Sequence, residues 1–217
     1  MGRDGTDLGD RQEPPPPGLA VLGGSFNPPH TSHLRIGREA LAQLNVERLL
    51  VIPSGDHPHK RAQDLAPAEH RLAMARLAFA GVDGALVDDR ELRREGPSFT
   101  VDTLAELRRQ APRSRIYFLI GSDNLPLLPT WHDHHRLLRL ATVVTWPRTG
   151  YPIEPRTLDH PDLSSAERAA LLANTLRLPS DGVSASELRT SLRTGQAAPA
   201  ALPSDVADYI REHGLYR

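Results

Sequence analysis

The sequence predicts an α/β protein, with a mostly parallel sheet of five to six strands flanked by helices and followed by a C-terminal helical segment. Three observations carry this. From residue 19 onward, short apolar runs alternate with stretches of helical period, the pattern of repeated βαβ units. Ile116 to Ile120 is an uninterrupted apolar run, as suits a strand covered on both faces. A length of 217 residues fits one compact domain with additions better than two complete ones, and is enough to bury a sizeable core.

The elements follow in order. Leu19 to Leu22 reads as the first strand, and Leu34, Gly37, Leu41 and Leu44 recur at steps of three and four, as one helix face does. Arg48 to Ile52 is a second strand. Pro67 opens a helix running to Ala80, with Leu72, Ala75 or Arg76, and Phe79 along one stripe. Ala85 to Val87 is a short third strand. Thr100 is a fitting N-cap for a helix that turns Val101, Leu104 and Leu107 inward, and Ile116 to Ile120 is the buried fourth strand. Helical sequence around Leu137 to Leu140 precedes a fifth strand, Thr142 to Trp146. The proline-rich stretch from Pro147 to Pro179 is expected to be irregular apart from a helical patch near Ser164 to Leu172. Ser184 or Ser186 then caps a helix to about Thr194, and Pro203 opens a last one through His213. Residues 1–18 end in four prolines and a glycine and carry only Leu8 as a large apolar residue, so they are expected to form a disordered or extended tail. Residues 19–217 then make a single domain, with a helical subregion over about 183–217.

Composition narrows the chemistry. The chain has no cysteine, which excludes disulfides, thiolate metal sites and cysteine nucleophiles. Its 26 basic and 27 acidic residues give a net charge of −1, so neither bulk nucleic acid nor a membrane is expected as a partner, and any phosphate must be met locally. The first 18 residues account for −2 of that charge, leaving a slightly basic body. Lys60 is the sole lysine among the basic residues. Without an apolar run of spanning length or a signal-like start, a soluble, cytoplasmic protein is expected.

The turn between the first strand and the first helix reads LGGSFNPPHTSH, residues 22–33. Gly23 and Gly24 allow close approach of a ligand, Pro28 and Pro29 stiffen the turn, and Thr31 or Ser32 is placed to cap the helix. A helix start directs free N–H groups and partial positive charge outward, which suits phosphate. His30 and His33, three apart, lie on one side of that opening and can donate to phosphate oxygens. The turn is neither a Walker A loop nor a GxGxxG fingerprint.

GGSFNPPHTSH resembles the GG(T/S)F(D/N)PxHxxH signature of the nucleotidyltransferases related to class I aminoacyl-tRNA synthetases. Within them the chain is similar to the bacterial nicotinate-nucleotide adenylyltransferase family. Four later segments match in order, IPSGDHPHK (52–60), PSFTVDTL (97–104), GSDNLPLLPTW (121–131) and VSASELRTSLRTG (183–195), and LPSDVADYIREHGLY resembles the family's closing helix. The resemblance covers about residues 19–217. It implies a Rossmann-like nucleotidyltransferase fold and transfer of the adenylyl group of ATP, with Mg²⁺, to nicotinate mononucleotide. Pyrophosphate and nicotinate adenine dinucleotide would be the products.

It also implies site residues. His30, His33, Lys60 and Arg189 would be catalytic. Gly23, Gly24, Ser25, Phe26, Gly121, Asp123, Ser184 and Ser186 would join His30, His33 and Arg189 around ATP. Asn27, Lys60, Thr100 and Trp131 would meet the second substrate, with Trp131 stacked on the pyridine ring. His57, His59 and Lys60 form a basic loop after the second strand, at a carboxyl edge where such sheets bind ligand. Asp123 suits ribose hydroxyls, and Arg189 offers bidentate donors to phosphate. Ala185 and Ser186 stand where the family commonly has Ser and Thr, so a hydroxyl is lost at 185. No protein metal site is expected. Asp133, His134 and His135 are adjacent, diverge by about 100° on a helix and read as a solvated helix start. Nicotinamide mononucleotide or phosphopantetheine as acceptor, and a nucleotide sensor without chemistry, are the competing readings; homo-oligomerisation is left open.

Overall fold

The computed structural model describes residues 17–55, 65–194 and 200–217. Most of the expected tail, and the loop holding His57, His59 and Lys60, lie outside the described residues.

Strand β1 (Gly18–Gly24) lies at the centre, so Gly18 already belongs to the domain rather than to the tail. It pairs with β2 (Val46–Pro53) on one side and β4 (Ile116–Gly121) on the other. Strands β3 (Ala85–Val87) and β5 (Thr142–Trp146) complete the order β3-β2-β1-β4-β5, every pairing parallel. Among the described residues five strands form, the lower of the two expected numbers, and Thr175 adds only an isolated parallel bridge to Thr145. Because consecutive strands run outward from β1 in one direction and then resume on its other side, a crevice opens between β1 and β4 at their carboxyl ends.

Alternation along the strands feeds two apolar layers. Ala20, Leu22, Leu119 and Val144 face one side, where they pack with α1 (Thr31–Gln43), α2 (Ala68–Phe79), α7 (Ala185–Arg193) and α8 (Ser204–Glu212). Val21, Phe118, Ile120 and Val143 face the other, against α4 (Thr100–Gln110), α5 (His134–Leu140) and α6 (Ser165–Ala173). The remaining helix, α3 (Arg90–Arg93), is one short turn.

Several local expectations change. The buried face of α2 runs through Arg71, Met74, Ala75, Ala78 and Phe79, leaving Leu72 half-buried and Arg76 exposed. Its polar residues, Glu69, His70, Arg71 and Arg76, are spread round the helix and Arg71 is itself buried, so the period alone does not select a face. The first helix is capped by His30 rather than Thr31 or Ser32, and Phe99 occupies the N-cap before Thr100. Ser122–Thr130 winds as a 3₁₀ helix despite Pro126 and Pro129. In the proline-rich stretch, α6 begins where expected, with Ser164 and Glu167 forming a reciprocal capping box. His134 is buried, so the Asp133–His135 start is not solvated throughout; His135 is exposed and meets Glu167 at 2.9 Å. No helix among the described residues is long and apolar enough to cross a membrane.

Leu119 is 1% exposed in the layer shared by the central strands and α1. Leu119→Ala is expected to lower unfolding free energy by about 2–5 kcal/mol, read as a fall in the urea midpoint at unchanged m-value.

Candidate active site

The crevice at the carboxyl ends of β1 and β4 has a volume of about 220 Å³. Of the residues expected there from the sequence, Gly23, Gly24, Ser25, His33, Thr100, Gly121, Asp123 and Trp131 line it. A larger hollow, about 810 Å³, opens at the opposite end of the sheet beside Gly18 and Arg115. It contains none of those residues, and ligands of such sheets bind at the carboxyl ends, so the smaller crevice is the candidate site.

The loop entering α1 is held by its two histidines. The His30 backbone N–H donates to His33 Nδ1 at 3.2 Å, and the ring centroids lie 3.8 Å apart. A neutral His33 that accepts at Nδ1 carries its proton on Nε2, so the capping contact selects the tautomer. Phe26, expected at ATP, is instead a buried core residue with φ of 45°, its ring 5.0 Å from that of His33. It supports the site from beneath. His30 is 3% exposed, and burial lowers its pKa to about 4; Asp181 opposes this shift and Arg148 adds to it. The imidazole is therefore neutral at pH 7.

Asn27 is also buried and does not line the crevice. Its Oδ1 accepts from the Ala66 N–H at 3.0 Å and from the Tyr216 hydroxyl at 2.7 Å, and its backbone oxygen accepts from Arg189 Nη1 at 2.9 Å. Arg189 also donates to Ser186 Oγ at 3.2 Å. Ser184 is the N-cap of α7. These three residues thus stand beside the loop rather than in the crevice lining.

Arg71, which the sequence analysis did not single out, is 4% exposed. It donates to the carbonyls of Ser25 (3.1 Å), Ser54 (2.8 Å) and Ala66 (3.1 Å), joining the loop after β1 to the segments on either side of residues 56–64. Arg148, also missed, lines the crevice with its Nε 3.6 Å from Asp123 Oδ1. Its backbone N–H donates to Ser122 Oγ, which itself donates to the Tyr151 carbonyl. Arg148 stands two residues after β5, as Asp123 does after β4, so the carboxyl-end rule that marked Gly121 and Asp123 would have found it. A Cβ at Gly121 would lie 2.3 Å from Asp123 Oδ1, so a side chain there would push the Asp123 carboxylate aside. Trp131 both lines the crevice and packs edge-on to Phe118, with centroids 6.1 Å apart. Among the described residues no group of three or more His, Asp or Glu could hold a metal ion.

The crevice therefore offers the His33 imidazole, a helix start, a serine hydroxyl and an arginine, a set suited to phosphate, while His30, 3% exposed, stacks behind His33 and does not line it. Comparison with known proteins identifies the family. The cytidylyltransferase-like family matches residues 21–191. A protein of Gemmatimonas aurantiaca named "Probable nicotinate-nucleotide adenylyltransferase" is 39% identical over 199 residues, 92% of each chain. One of the same name from Albidiferax ferrireducens is 37% identical over 92% of this chain and 98% of its own. Among solved structures, the Plasmodium falciparum nicotinic acid mononucleotide adenylyltransferase complexed with NaAD superposes with a TM-score of 0.74 at 18% identity. That match covers 92% of this chain and 97% of the other, and speaks to the fold.

The depressed pKa of His30 has a consequence for stability. An unfolded histidine takes up its proton near pH 6.5, whereas the folded one does so only near 4. Between these values the unfolded chain binds more protons, so stability falls as pH drops from 6.5 towards 4 and is full above 6.5. The contribution is about 3 kcal/mol. Urea unfolding of the wild type and His30→Gln between pH 4 and 7 is expected to show a slope that the variant lacks.

Proposed function

We infer the activity from one premise: the chain belongs to the nicotinate-nucleotide adenylyltransferase family, within the cytidylyltransferase-like fold. We propose that it transfers the adenylyl group of ATP to nicotinate mononucleotide, a step of NAD biosynthesis. A 5′-phosphate oxygen of the mononucleotide attacks the α-phosphorus in line, the bond to the bridging oxygen breaks, and pyrophosphate leaves. The nucleophile is already an anion, so no strong base and no covalent enzyme intermediate are needed. What the protein supplies is position and charge stabilisation.

The observation that carries this reading is the paired His30 and His33 at the head of α1, with His33 fixed in the tautomer that carries its proton on Nε2. The two imidazoles would meet the α- and β-phosphates, and the neutral His30 can take up charge as phosphate approaches. Arg189 would turn from Asn27 and Ser186 to the departing pyrophosphate, with Ser184 and the α7 N–H groups beside it. Ser25 and the Gly23–Gly24 backbone would follow the phosphates, and Asp123, braced by Arg148, the ribose. Thr100 and Trp131 would hold nicotinate, and Lys60, from the loop outside the described residues, its phosphate. Mg²⁺ we read as part of the substrate, carried in on the phosphates of ATP and lowering their charge during transfer. Substrates of this kind place the enzyme in the cytoplasm.

Pyrophosphate release from MgATP is expected with nicotinate mononucleotide, and more weakly or not at all with nicotinamide mononucleotide and phosphopantetheine; release with phosphopantetheine alone would overturn the reading. His33→Ala, at unchanged melting temperature, is expected to lower kcat by about 10²–10³.

A further inference from the structure

Helix α8 ends in a reversal that has no role in the sheet. Gly214, at φ 60°, follows the C-cap His213; the Leu215 N–H bonds back to the Ile210 carbonyl at 3.0 Å and the Gly214 N–H to that of Arg211 at 3.3 Å. This is the two-bond pattern that closes a helix on a left-handed glycine. The reversal sends Tyr216, itself at φ 62°, back across the domain to the loop that carries His30, where its hydroxyl meets Asn27 Oδ1 at 2.7 Å.

Asn27 is 1% exposed and three residues before His30. Its side-chain oxygen has two acceptor positions, and the Tyr216 hydroxyl and the Ala66 N–H fill both. Its backbone oxygen is the resting partner of Arg189. One residue therefore couples the loop of the histidines, the segment after β2 and the arginine of α7. We propose that Tyr216 is a positioning residue for adenylyl transfer: its hydroxyl fixes Asn27, and through Asn27 the placement of His30, His33 and Arg189 relative to the transferring phosphate. This rests on the activity proposed above. Burial pushes the Tyr216 phenol above its ordinary range, so it remains a donor at every pH at which the protein would be assayed. Without it, Asn27 Oδ1 loses the donor that ties it to the C-terminal reversal, and the loop can turn while the fold stays closed. Donors displaced by a fraction of an ångström lose more in the transition state than in the ground state, so kcat and not KM reports the effect.

The test is steady-state pyrophosphate release by the full chain as wild type, Tyr216→Phe, Asn27→Leu and the double variant, with melting temperatures for each. Tyr216→Phe is expected to lower kcat about tenfold, with both KM values within about twofold and a melting temperature within a few degrees of wild type. In the Asn27→Leu background the same change is expected to cost nothing further, because the Tyr216–Asn27 contact is already gone. A role confined to stability gives the opposite pattern: a lower melting temperature with kcat unchanged well below it. That result, or independent losses in the double variant, overturns the assignment. Wild-type turnover with undiminished Tyr216→Phe turnover overturns it alone; a wild type that releases no pyrophosphate with any of the three acceptors overturns the functional reading and the assignment together.

Discussion

The site depends on a loop that lies buried before it becomes a helix. Residues 26–30 are shut away from water, and a buried segment outside regular structure must find partners for its polar groups elsewhere. Here the partners come from far along the chain. Arg71 serves the Ser25 carbonyl, Arg189 that of Asn27, Ala66 and Tyr216 serve the Asn27 side chain, and the Ala201 carbonyl accepts the Thr31 N–H at 2.8 Å. The loop is thus rigid because α2, α7 and the segments around α8 all hold it, and those elements are packed against β1 by the same apolar layer that receives Phe26.

This arrangement shows how a chain of near-zero charge can gather hydrogen-bond donors of the kind phosphate needs. Cations are not massed over the protein. Arg71 is consumed by carbonyls, Arg148 leans on Asp123, and His30 is kept neutral by burial. What faces the crevice is a set of oriented donors, the His33 imidazole and the Ser25 hydroxyl among them. Donors of this kind need no reorganisation at the moment of reaction, and a low-dielectric setting strengthens each of them.

The sequence made the scaffold legible wherever the signal was local. The apolar runs at 19–22, 48–52, 85–87, 116–120 and 142–146 all became strands, and residues taken from their carboxyl ends, such as Gly23, Gly121 and Asp123, line the crevice. Local patterns misled where two roles compete for one residue type. Thr31 and Ser32 are good caps, but His30 takes the position because His33 can answer its N–H. Phe26 and Asn27 sit within a motif of ligand-facing residues yet point into the protein, since the turn at φ 45° buries them. Arg71 and Tyr216 were beyond reach for a different reason. Their partners are up to 189 residues away, and no periodicity records a contact of that span.

That span also bears on how the molecule comes into being. The loop of the histidines is made early in translation, and the hydroxyl that meets Asn27 follows 189 residues later, roughly ten to forty seconds at bacterial and eukaryotic ribosome speeds. In the interval β1, β2, β4 and β5 can pair and the layer against α4, α5 and α6 can close, while the layer that takes in α7 and α8, and the Tyr216 donor to Asn27, are still to come. The nascent sheet would then be formed before the site is competent, and an emerging chain could acquire most of its architecture without yet consuming ATP.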